Sequence, residues 1–308
     1  MNLNNKFLNE LISYSKKIVD LDLKKYDYTE KINQILYIAI PAFIIKYGFD
    51  NKNKIIKVFN EVPIIIKKQE EKVFQAFYTS IPLRNGEEII TKKCIVIYYY
   101  DGKPYLELID NIIHEYNHAV NSLLNEVKED EKFIYLRTGL MYSKYSKNYE
   151  LENSKDESYI LEEIINTKQT EEIIDIINSF NKYEINDTQI KEIINNINES
   201  INEKYSSEAY FLQSKLCQSL MNNHTLISVL ASNRFLGNID DIEFFFDNIT
   251  GENGSYKKLI NILNKSVKLE EEYGKIKFFK SRKINQIKRL YVSANQIINL
   301  FNANYHFK

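Results

Sequence analysis

The chain is short of the residues that disulfide frameworks, nucleic-acid surfaces and membrane spans require. Only two cysteines occur in 308 residues, Cys94 and Cys217. They lie far apart in apolar surroundings, and neither belongs to a CxxC pair, so both read as reduced core residues of a cytoplasmic protein. Charge of neither sign prevails: 41 Lys and Arg face 42 Asp and Glu, for a formal net charge of -1. With no basic stripe, nucleic acid is not an expected partner. Long hydrophobic runs are missing too. The N-terminal residues Met1 to Asp20 mix Asn, Lys and Glu into their apolar positions and show no secretory signal. Ile35 to Ile45, the most hydrophobic stretch, is too short for a membrane span and contains Pro41. It predicts a buried helix. At 44% hydrophobic content the chain suffices for one large domain or two lobes.

Histidine is scarce as well, with four in the chain. Two of them sit in His114-Glu115-Tyr116-Asn117-His118, an HExxH pentad. Imidazoles four residues apart on a helix project from one face and can ligate one Zn²⁺, while the Glu beside the first takes a proton from an activated water. The surrounding segment supports a helix. Apolar residues from Leu106 through Tyr116 to Val127 recur at spacings of three and four, which predicts about six helical turns from Tyr105 to Val127. At about 100° per residue, His114 and His118 fall opposite that arc, among Asp110, Asn117, Asn121 and Asn125. The helix is expected to bury one face and offer the histidines to a cleft.

Around this helix the hydrophobic period changes. The first 50 residues read as helical, with a stop near Gly48. Ile55 to Phe59, Ile64 to Lys67, Val73 to Leu83 and Ile89 to Tyr100 are rich in Val, Ile, Phe and Tyr and read as strands. Asn85-Gly86 signals a type I′ hairpin, and Asp101-Gly102 a turn leading into the pentad helix. Lys132 to Tyr145, around Arg137-Thr138-Gly139-Leu140, reads as a further strand or hairpin, and the pattern from Ser158 onward is mostly helical. The expected organisation is an α+β lobe, residues 1–150, holding a small, mostly antiparallel sheet and the HExxH helix, then a helical lobe, 151–308, with a cleft between them.

A catalytic zinc site takes three protein ligands and leaves one position for water. The remaining imidazoles, His224 and His306, do not complete the HExxHxxGxxH pattern, because positions 121 and 124 are Asn and Leu. A downstream carboxylate is therefore sought, and Leu161-Glu162-Glu163-Ile164-Ile165 carries two. Periodicity does not choose between them, since both lie at similar angles from the apolar arc. The combination resembles the gluzincins, thermolysin-like zinc peptidases whose second motif often reads Leu-Asn-Glu before small or apolar residues. That resemblance implies a zincin-like fold for the first lobe and Glu163 as the third ligand, with Glu162 the second choice. The family often places an Asp four residues beyond this ligand; here Thr167 stands there, beside Asn166.

On this reading Zn²⁺ is held by His114, His118 and Glu163, Glu115 is the general base, and a protein or peptide substrate docks on the sheet edge as an added strand. Transition-state stabilisation calls for a further donor, with Tyr210 or His224 as first candidates and Tyr205 and Arg234 behind them. The alternative is a zinc-binding regulatory or interaction module without turnover.

Overall fold

The computed structural model describes residues 4–22, 30–69, 76–100, 105–123, 126–152, 158–202, 224–238, 240–275 and 280–305. The Asp101-Gly102 turn, Tyr205, Tyr210 and Cys217 lie outside them. The architecture is α+β, with two three-stranded sheets and a C-terminal portion that is helical.

Helices α1 (Asn5–Asp22), α2 (Glu30–Tyr47) and α3 (Lys52–Glu61) open the chain. As its composition requires, α2 is buried on nearly every side from Ile35 to Ile44, Pro41 included. Gly48, at φ 90°, ends it. Strands β1 (Ile64–Lys68), β2 (Ala76–Asn85) and β3 (Glu88–Tyr99) form the first sheet, in the order β1-β3-β2. The β2–β3 pair is an antiparallel hairpin, but β1 runs parallel to β3. Next come α4 (Tyr105–Val120), the pentad helix, and the antiparallel strands β4 (Val127–Glu129), β5 (Phe133–Thr138) and β6 (Met141–Ser146). Among the described residues the rest is helical: α5 (Tyr159–Ser179), α6 (Thr188–Asn202), α7 (His224–Leu236), α8 (Asp240–Thr250), α9 (Ser255–Lys275) and α10 (Lys280–Tyr305).

Three expectations need correction. Ile55 to Phe59 is helix, not strand, because Ile55, Ile56, Val58 and Phe59 are buried at helical spacing while Lys57 faces out. The helical period of the buried residues prevails over their β-branched composition. The pentad helix stops at Val120, and Val127 begins a strand. Side chains close its end: the Ser122 N–H turns to the Ala119 carbonyl and Ser122 Oγ donates instead to the His118 carbonyl at 2.6 Å, while Asn121 Nδ2 adds a second donor, at 2.7 Å, to the Asn117 carbonyl. The β2–β3 hairpin pairs Asn85 with Glu88, so Gly86 and Glu87 make the loop. Gly86 alone has positive φ, at 66°, which fits a turn of the II′ kind rather than I′.

By Cα proximity the chain divides into two units, Met1–Leu123 with Gln169–Ser206, and Leu124–Lys168 with Ser207–Lys308. Helix α5 contributes residues 159–168 to the second and continues into the first. In the first unit, Phe59 stacks on Tyr116 at 4.2 Å and meets Phe43 edge-on at 5.4 Å. Tyr116 is fully buried and its hydroxyl donates to the Val62 carbonyl at 3.0 Å. Such a ring contributes about 1.5–3 kcal/mol by burial alone, and here it fixes the rotation of α4. In the second unit, Leu161, Ile164 and Ile165 of α5 pack with Leu230, Leu263 and Phe301.

Candidate metal centre

Helix α4 is more deeply set than a two-faced helix would be. From Leu106 to Val120 all but Asp110 and His114 are buried, Glu115 and His118 among them at 7% and 4% exposure. The expected division into an apolar face and an open polar face is thus replaced by a helix covered nearly all round. Its polar side finds protein partners. Tyr47 OH donates to Asn117 Oδ1 and receives Asn121 Nδ2 at 2.7 Å. Asn117 and Asn121 therefore anchor the helix to α2, and they belong to the scaffold.

His114 and His118 stand one turn apart with ring centroids at 4.9 Å and planes inclined by 78°. Glu163 joins them from α5. One ligand atom from each of these three residues lies within 4.8 Å of the others, the only such group of three or more among the described residues. A Zn²⁺ ion with nitrogen and oxygen ligands at about 2.0–2.2 Å spans separations of about 3.3 Å. The donor set, two imidazoles and one carboxylate, fits the ion in type, with its ligand atoms gathered within 4.8 Å.

The neighbouring carboxylate points elsewhere. Glu162 is fully buried and accepts hydrogen bonds from the Leu140 N–H at 2.7 Å and from Arg234 Nε at 2.8 Å, with an ion pair to Arg234 Nη2. Of the two adjacent carboxylates it is Glu163, and not Glu162, that is grouped with the histidines. Arg234, also fully buried, is committed to Glu162 and to Asn166 Oδ1. His224 is the first residue of α7.

No protein family, curated protein or solved structure matches the chain.

Two features around the pentad had no signature in the sequence. The Tyr78 N–H, on strand β2, donates to Glu115 Oε2 at 2.6 Å. A main-chain donor of this kind holds a carboxylate in one orientation and carries no residue-type signal. Asp110 precedes His114 by one helical turn. Burial pushes its carboxyl above the ordinary value, and Glu171 and Glu107 add to this, while His114 opposes it. The spacing of four was legible, but the desolvation of the carboxyl was not.

Two buried arginines of the second unit, Arg137 and Arg234, lie beside Glu162. Arg137 Nη1 donates to the carbonyls of Gly139 at 2.6 Å and Arg234 at 2.9 Å. Burial lowers its pKa to about 10, opposed by the Glu162 carboxylate. Arg137 sits between the apolar residues Leu136 and Leu140 in the hairpin, a pattern that marks a buried cation in need of acceptors.

Proposed function

We propose that this protein is a zinc-dependent endopeptidase of zincin-like arrangement, with His114, His118 and Glu163 holding one Zn²⁺ and Glu115 as the general base. One observation carries the reading: the two pentad imidazoles and a carboxylate distant in sequence bring ligand atoms within 4.8 Å. A set of two imidazoles and one carboxylate is that of hydrolytic zinc, which keeps a position for water, whereas structural sites use four protein ligands. When bound, the ion supplies Lewis acidity to a water and to the scissile carbonyl.

The chain's own residues do the rest. Glu115 accepts the proton of the attacking water and returns it to the leaving amine. The Tyr78 N–H fixes that carboxylate through Oε2, and at 7% exposure the transfer is shielded from bulk solvent. The same contact supports an extended peptide as substrate. Strand β2 stands at the edge of its sheet, in the order β1-β3-β2. An added strand on that edge would make main-chain hydrogen bonds and set alternate side chains in pockets, with the scissile bond near Glu115.

Protein purified without a His tag is expected to carry one Zn²⁺ per chain by elemental analysis and to cleave members of an unbiased peptide library. Glu115→Gln should keep its fold and its metal while turnover falls by at least about 10²-fold. Undiminished turnover would remove Glu115 from the mechanism. Metal without cleavage would reassign the centre to a zinc-binding regulatory module, and absence of metal would remove it altogether.

A further inference from the structure

We propose that the buried Glu162–Arg234 ion pair is the element that presents Glu163 to the metal, so that Glu162 acts as a positioning residue and not as a ligand. The inference rests on the metal reading above. Consecutive helical residues leave the axis about 100° apart, so holding the helix by one side chain sets the direction in which the next leaves the backbone. Glu162 is fixed from two sides. The Leu140 N–H, in the β5–β6 turn, reaches it at 2.7 Å, and Arg234 of α7 at 2.8 and 3.0 Å through Nε and again through Nη2. The Arg234 guanidinium also reaches Asn166 Oδ1, one turn further along α5. It therefore grips residues i and i+4 of the helix and leaves residue i+1, Glu163, directed away from the grip.

The parts around the pair serve the same end. Gly139 has φ +59°, and a Cβ built on it would lie 2.1 Å from both Glu162 carboxylate oxygens, so the turn is shaped around that carboxylate. Arg137 braces both neighbours through the Gly139 and Arg234 carbonyls. A buried ion pair is a poor source of stability, because apolar residues of similar volume in its place often do as well or better. It is a good source of direction. Lysine, a point charge on a flexible stem, supplies no fork with which to hold two turns.

The test uses full-length protein and reads zinc affinity by competition with a chelator, the absorption spectrum of the cobalt-loaded protein, and the unfolding midpoint. In the double variant Glu162→Met/Arg234→Met, affinity is expected to fall about tenfold. The cobalt spectrum should change, since a displaced Glu163 alters the ligand field, with the unfolding midpoint close to that of the wild type. Arg234→Lys, which keeps the charge and loses the fork, is expected to weaken binding in the same direction and serves where the double variant does not fold. Folded variants with wild-type affinity and an unaltered cobalt spectrum overturn the proposal and leave the pair as a purely structural one. The reading beneath it is separated by Glu163→Ala: if that variant binds zinc as tightly as the wild type, or if the wild type binds none, the metal centre itself falls and this inference with it.

Discussion

Gly139→Ala probes the Glu162 carboxylate from the backbone side, and its cost has two separable parts. At φ +59° an L-residue pays about 1–2 kcal/mol for the left-handed conformation. The second part is the collision of the new Cβ with both Glu162 oxygens at 2.1 Å. On a surface, a glutamate would swing aside at little cost. Here the side chain is fully buried and bound to Arg234 and the Leu140 N–H, so moving it breaks a buried ion pair, for about 3–5 kcal/mol. The sum, about 4–7 kcal/mol, is a large part of the 5–15 kcal/mol that typically separates folded from unfolded chains. Gly251→Ala is the control: φ is +74° and nothing lies within 4 Å of its Cβ, so only the backbone cost of about 1–2 kcal/mol applies. Equilibrium urea unfolding of both variants, followed by circular dichroism, gives the difference. If Gly139→Ala loses no more stability than Gly251→Ala, the carboxylate is not held as described.

Three further outcomes are expected. His114→Ala and His118→Ala should each abolish stoichiometric zinc binding by elemental analysis, and retention of one Zn²⁺ per chain in the double variant would contradict the centre. Glu163→Ala should lower zinc affinity by at least about tenfold and by more than any change at Glu162, since a lost ligand costs more than a misdirected one; the opposite ranking would return the ligand role to Glu162. Burial pushes the Asp247 carboxyl up, but hydrogen bonds from the Tyr256 and Gly254 N–H groups and the Ser255 hydroxyl outweigh it and hold the group below the ordinary carboxylate value. Because the folded value is the lower one, its contribution is present above about pH 4 and is lost as pH falls through the folded value. Asp247→Asn should therefore be less stable than the wild type at pH 7 and differ less from it at pH 2, whereas parallel acid profiles would argue against the linkage.

What the sequence disclosed about this site follows from what a one-dimensional pattern can carry. His114 and His118 were legible because a spacing of four on a helix is itself geometry. Choosing between Glu162 and Glu163 was not possible from periodicity, because the deciding partner, Arg234, lies 72 residues away and shows no period linking it to α5. The length of α4 was overread, since Leu123 and Val127 continue the apolar spacing past the point where Asn121 and Ser122 turn their side chains back on the helix. Ile55 to Phe59 went the other way: composition argued for a strand while the spacing 55, 56, 58, 59 already described one face of a helix. The contact between β2 and the pentad had no signal, because its donor is a main-chain N–H.

That main-chain donor also makes the Tyr78 amide a resident probe of the base. An amide proton hydrogen-bonded to a carboxylate is strongly deshielded and exchanges slowly with solvent, and both properties respond when the acceptor gains a proton or is withdrawn. One backbone resonance in a nitrogen-15 correlation spectrum would thus follow Glu115 through a pH series, through metal loading and through the arrival of a peptide on β2, with no turnover needed.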